Sequence, residues 1–303
     1  MFKMSEYSFV AGLLSTGLAL IVYVLAFASV RLARQRAAYA GAGGPALAGG
    51  GMASVTVTTG RSTTGLGTYA TIITWLAFAF LTAGLIFRAV YTGHGPFANM
   101  YEFSIAFAWG IMTAYMWFEH RYHQRILGLF AVPVALLLLA YATTLPSTIE
   151  PLVPALQNNL LLTVHVAVAI VAYGTFTVAF AAAVLYLIQP EGGRRGLPKP
   201  ELLDEIGYKA VVVGFPFLTL TIILGAVWAD VAWGSYWSWD PKETASLVTW
   251  LIYGAYLHAR VVRGWRGNRA AWLLVLGFAA TLFTYFGNLF FGGLHSYSGL
   301  NND

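Results

Sequence analysis

The residues best suited to chemistry in this chain are its Trp and His, and they are unevenly placed. Of ten Trp, four (Trp228, Trp233, Trp237 and Trp239) fall between positions 228 and 239, with Tyr236 among them. Membrane proteins do place Trp at the bilayer interface, but such a belt spreads over all helix ends. Crowding in one segment suits a platform for a large, flat, apolar ligand, which aromatic faces bury well. The same segment ends in Asp240-Pro241-Lys242-Glu243, which reads as an N-cap, Pro at the first helical position and an acid at the third. It therefore launches a helix, and Asp240 taken alone reads as a cap.

Two of the six His accompany that segment. His165 lies about five residues into a long apolar run, and His295 follows the last one; both are expected at the membrane level of the Trp segment. A planar porphyrin resting on aromatics, its iron held by imidazole above and below, would account for that combination. The ordinary alternative for His165 is a hydrogen bond to Tyr173, and for His258 one to Tyr253. His258 lies 17 residues beyond Pro241, roughly 25 Å along a helix, and so near the opposite membrane face. Ionisable groups within a span are rare and usually functional. His94, His120 and His123 sit in loops and read as solvated or structural. A P-loop, a His-Glu-x-x-His zinc helix and a nucleophile motif are all missing from the sequence.

The elements that must position these residues are transmembrane helices. The 303 residues are 58% hydrophobic and 10% charged, with mean hydropathy +0.69, whereas soluble domains carry roughly 25% charged residues. Eight apolar runs, near 8–30, 68–91, 99–118, 126–146, 160–188, 208–229, 241–261 and 271–291, approach the ~20 residues a span requires. The expected fold is all-α, a polytopic membrane bundle. Its parts are a first helix over 1–39, which reads as retained rather than as a cleaved signal, a flexible Gly/Ala/Ser/Thr linker over 40–67, and seven helices over 68–303 with the aromatic loop at 228–243.

Fourteen of the 17 Lys and Arg fall in the connections after runs 1, 3, 5 and 7 (Arg31, Arg34, Arg36, Arg61; Arg121, Arg125; Arg194, Arg195, Lys199, Lys209; Arg260, Arg263, Arg266, Arg269). Such loops stay cytoplasmic, so both termini and the Trp segment are expected outside. The net charge of +5 then reflects short cytoplasmic loops and excludes a nucleic-acid partner. The chain has no Cys, so it holds no disulfide and no thiolate ligand.

The segment Trp233-Gly234-Ser235-Tyr236-Trp237-Ser238-Trp239-Asp240-Pro241-Lys242-Glu243-Thr244 resembles the "WWD" signature of haem-handling proteins, with Tyr236 where the shorthand would place Trp. Thr249-Trp250-Leu251-Ile252-Tyr253, His258-Ala259-Arg260, Gly293-Leu294-His295-Ser296-Tyr297 and Gly93-His94-Gly95-Pro96-Phe97-Ala98-Asn99-Met100-Tyr101-Glu102 are similar to the CcsA/ResC-like branch, called CcsB in actinobacterial naming. These are cytochrome c synthase subunits of System II biogenesis. The resemblance runs from the second apolar run to the end.

It implies His165 and His295 as paired outer axial ligands of haem b, and His258 as an inner haem ligand whose partner lies in a ResB-like subunit. Trp228, Trp233, Tyr236, Trp237, Trp239 and Asp240 would form the outer haem-binding and catalytic surface. The implied activity is that of a holocytochrome-c synthase subunit (a cytochrome c haem lyase): haem reaches the outer face and is joined to the Cys-x-x-Cys-His segment of apocytochrome c. Implied partners are membrane lipid and a thiol-reducing protein, in the bacterial plasma membrane or, for a plastid protein, the thylakoid. A chain without Cys suits that role, because a local thiol would compete for the haem vinyls. Other readings are a CcmC-type haem delivery protein, a b-type electron-transfer cytochrome and an aromatic-gated transporter. Covalent product, redox cycling and a haem absorption spectrum separate them.

Overall fold

A computed structural model describes residues 1–42, 65–149, 152, 156–157, 159–190, 193, 197–287 and 290–295. They form eight α-helices and, among the described residues, no strand: α1 Phe2–Ala42, α2 Gly65–Thr92, α3 Met100–Tyr122, α4 Gly128–Ala142, α5 Asn159–Leu187, α6 Pro200–Trp233, α7 Pro241–Val262 and α8 Asn268–Phe286. Most of the expected linker lies at 43–64, outside the described residues.

Six helices are long and apolar enough to cross a membrane; the chain is a multi-pass helical membrane protein. The other two, α3 and α7, are long enough at 23 and 22 residues. What lowers their hydropathy is ionisable and aromatic content: Glu102, Glu119 and Arg121 in α3, Lys242, Glu243 and Arg260 in α7. Both helices turn many of these groups inward, with Glu102, Glu119 and Glu243 buried.

The bundle is built around α5. Its most apolar window is 72% buried, against 28–44% for the other candidate spans, and it packs on α6, α3, α4 and α8. Small residues make that central position possible. Ala172, Ala179, Ala181 and Ala182 are fully buried, and Gly174 lies so close to α3 that a Cβ there would stand 2.6 Å from the Gly110 carbonyl oxygen. Close backbone approach through small residues is how membrane helices pack where lipid offers no hydrophobic drive. On the other side, α1 packs against α2 and α4.

The aromatic segment divides differently from the expected loop. Helix α6 continues to Trp233 and is closed by Gly234 (φ +74), whose N–H donates to Asp230 O at 2.8 Å. Left-handed backbone of this kind is the usual glycine C-cap. Trp228 and Trp233 are thus helical, residues 234–240 are irregular, and α7 begins at Pro241.

Candidate functional site

The start of α7 is the expected capping box. Asp240 Oδ2 accepts from Lys242 N (3.0 Å), and Glu243 Oε2 accepts from Asp240 N (3.1 Å), Ser238 N (2.9 Å) and Ser238 Oγ (3.2 Å). Asp240 also reaches the end of the chain. Its Oδ1 accepts from Leu294 N at 2.6 Å, and its Oδ2 lies 2.8 Å from His295 Nδ1. Gly293 permits this contact, since a Cβ there would fall 2.2 Å from Asp240 Oδ1. The cap therefore doubles as the anchor for His295.

Burial by itself would raise the Asp240 carboxyl. The hydrogen bond and charge of His295, with the N–H groups of Lys242 and Leu294, outweigh it and bring Asp240 down to about 2. Burial also lowers His295 below the ordinary imidazole value, with Asp240 working in the opposite direction. The stable arrangement is an ionised carboxylate against a neutral ring. A carboxylate only accepts, so Nδ1 carries the hydrogen and the ring's lone pair lies on Nε2. Metal-ligating His are commonly held in this way.

His165 projects from α5 toward α6. Its ring lies parallel to the Trp228 indole (14°, centroids 6.3 Å apart) and against Gly225, where a Cβ would come within 2.8 Å of His165 Cε1. Its Nδ1 is buried without a hydrogen-bond partner. Trp228 is 2% exposed and also neighbours His295 (5.8 Å), while Trp233 meets His295 edge-on at 4.9 Å. Trp228 thus stands beside both imidazoles.

His165 and His295 line one cavity of about 100 Å³ among α3, α5, α6, α7 and α8, open on one side. Met100, Phe103 and Phe107 form one wall, and Trp228, Trp237, Tyr173 and Tyr285 contribute further rings. Trp237 Nε1 is a second buried atom without a partner. Two unpartnered polar atoms in an aromatic cavity leave its hydrogen-bonding capacity unmet. Among the described residues no group of three or more His, Asp or Glu could hold a bare metal ion. A porphyrin brings its own four nitrogens, so two imidazoles would complete its iron. The donor set fits that group.

The remaining expected residues lie elsewhere. Tyr236 and Trp239 are 59% and 68% exposed and do not line the cavity; Trp239 meets Trp237 edge-on at 5.7 Å. Trp239 also has φ +60, a left-handed conformation that is an outlier for a bulky residue. His258 is exposed on α7. His120 and His123 are exposed with ring centroids 6.4 Å apart, and His94 is half-buried with Nδ1 2.8 Å from the Gly95 carbonyl oxygen.

The α3 wall, Tyr173, Lys242 and Tyr285 were not anticipated as cavity residues. A signal for the wall did exist in Asn99-Met100-Tyr101-Glu102, another cap with an acid three residues on. Asn99 Oδ1 accepts from Glu102 N (3.0 Å), and Glu102 accepts from Ala98 N (2.7 Å) and Arg88 Nε (2.5 Å). That ion pair is 2% exposed on each side and fixes the turn leading to Met100 and Phe103.

A helical membrane bundle that aims two His from different helices and loops into an aromatic cavity has relatives. The cytochrome C assembly protein family matches residues 97–295, and the chain belongs to that family. It is similar to the cytochrome c biogenesis protein CcsA of Guillardia theta, 38% identical over 256 residues covering 75% of this chain and 85% of the relative. The CcsA of Gloeobacter violaceus is 36% identical over 300 residues, covering 78% of this chain and 88% of its own length. That of Chlamydomonas reinhardtii is 41% identical over 230 residues, covering 72% and 65%. Among solved structures, the cytochrome c haem lyase CcmF superposes with a TM-score of 0.65 at 19% identity. The match takes in 99% of this chain and 50% of CcmF, and at that identity the likeness is one of fold.

Proposed function

We propose that this chain acts in cytochrome c maturation, binding haem b as a substrate between His165 and His295 and holding it for covalent attachment to apocytochrome c. The observation that carries the reading is the single aromatic cavity that both imidazoles line, with Trp228 beside each ring. The distribution of Lys and Arg supports placing this cavity on the outer face.

In this reading Asp240 holds the His295 ring with its lone pair on Nε2, and His165 supplies the second imidazole. The aromatic wall excludes water and positions the porphyrin face, which is the protein's share of the catalysis. Each thiol of a Cys-x-x-Cys-His segment adds across one haem vinyl group. A C–S bond forms at the carbon next to the ring and the thiol proton passes to the terminal carbon, so the step needs no oxidant. The His of that segment then replaces one of the two imidazoles. A ResB-like subunit and a thiol-reducing protein complete the assembly, the reductant because this chain has no Cys of its own.

The test is co-expression of the chain and its partner subunit with an apocytochrome reporter. His165→Ala and His295→Ala should each abolish the bis-imidazole absorption spectrum given by haem added to the purified chain without its partner, and cut covalent haem in the co-expression at least about tenfold, since each removes an axial bond. Wild-type spectra and product in both variants would overturn the assignment.

A further inference from the structure

Two axial imidazoles fix the iron and the plane of a porphyrin, but they leave the macrocycle able to rotate about the line joining them. Something at the rim must set that rotation if the vinyl groups are to meet two thiols in a defined register. Haem b carries two propionate carboxylates on the edge opposite its vinyls, so a cation in the wall would suffice.

Among the described residues one Lys and no Arg lines the cavity, and it is Lys242. Its ammonium makes no hydrogen bond or ion pair with a described residue; its close neighbour is the Phe103 ring, 5.7 Å away. Asp240 acts on the ammonium through space and Glu243 lines the same cavity, but neither carboxylate accepts a hydrogen bond from it. Both oxygens of Asp240 accept from the N–H groups of Lys242, Leu294 and His295, and Glu243 Oε2 accepts from Ser238 and from Asp240 N. A cation placed in an aromatic cavity without a hydrogen-bonding anion is costly. It is the arrangement expected where the anion arrives with the ligand.

We infer that Lys242 is the propionate anchor of the outer site, a positioning residue that fixes the in-plane rotation of the bound porphyrin. The inference rests on the reading that haem occupies the cavity. It extends the role of the α7 start, in which Asp240 orients one imidazole and Lys242, two residues on, orients the macrocycle. A charge-assisted hydrogen bond from the ammonium to a carboxylate would hold it.

The experiment compares ferric haem b with its dimethyl ester, which keeps the iron, the ring and the vinyls but lacks both carboxylates. Each is titrated by its absorption band into the purified full-length chain, as wild type, Lys242→Met and Lys242→Arg. Wild type should bind haem roughly ten- to a hundred-fold more tightly than the diester, the range expected for a hydrogen bond to a charged group. Lys242→Met should bind the diester as wild type does, which also shows that it is folded, and lose the preference for haem. Lys242→Arg should keep most of it. A preference retained in Lys242→Met, or one lacking in wild type, overturns the inference and leaves the haem site standing. Failure of wild type to bind either porphyrin overturns the haem reading itself.

Discussion

At position 240 one carboxylate accepts from three N–H groups, those of Lys242, Leu294 and His295, the last two belonging to the far end of the chain. The first contact is a helix cap and the third governs an imidazole, and the two can be separated by substitution. Asn caps a helix about as well as Asp, but its amide has one acceptor oxygen. Asp240→Asn can therefore keep the Lys242 cap while the Leu294 N–H loses its acceptor, a cost of about 1–3 kcal/mol in thermal unfolding in detergent. It removes the negative charge facing the His295 Nδ1–H. Loss of such an outer partner costs about 10- to 100-fold in ligand affinity at metal sites, and haem binding at the outer site should fall by that much. Asp240→Ala should weaken binding similarly and also lose about 0.5–2 kcal/mol with the cap. Wild-type haem affinity in Asp240→Asn would show that the carboxylate is a cap and nothing more.

The starts of α3 and α7 each use an acid twice, and α3 shows what that does for the architecture. Glu102 closes the cap of α3 while pairing with Arg88 of α2, both nearly without solvent. Removing one member of a buried pair costs about 3–5 kcal/mol, whereas replacing both with apolar residues is often neutral. Arg88→Met should therefore destabilise strongly, and Arg88→Met with Glu102→Met should recover much of the loss, read as unfolding midpoints in lipid nanodiscs. Equal loss in single and double variants would mean that the pair acts through the cap alone. The eight helices were legible in the sequence because the apolar runs approach membrane length, and the start of α7 was legible from Asp240-Pro241-Lys242-Glu243. The continuation of α6 to Trp233 was not, because Trp serves equally in a helix and in a loop platform. Nor was the bond from Asp240 to His295, which spans 55 residues and depends on how the chain returns after α8. The α3 wall escaped notice because its Met and Phe look like any buried helix face.

For the whole molecule, bis-imidazole binding as proposed consumes His ligands in pairs, His165 and His295 making the pair in the cavity. His258 is left exposed on α7, on the outside of the bundle, where lipid would surround an unpartnered polar ring at considerable cost. In its own chain His120 and His123 are the other His expected toward that end, and both are exposed near the end of α3, within reach of water. A ligand on the outer wall is suited to sharing a haem with a neighbouring protein. The expectation is that His258 and a His of the ResB-like subunit hold a second haem on its way to the outer cavity. His258→Ala should then lower haem content and covalent product in the two-subunit complex. Haem added to the purified variant should still give the bis-imidazole spectrum of the outer site, because His165 and His295 are untouched. His120→Ala and His123→Ala should change neither measurement. A silent His258 together with an essential His120 would move the inner ligand to the α3 end and leave α7 without a role in transfer.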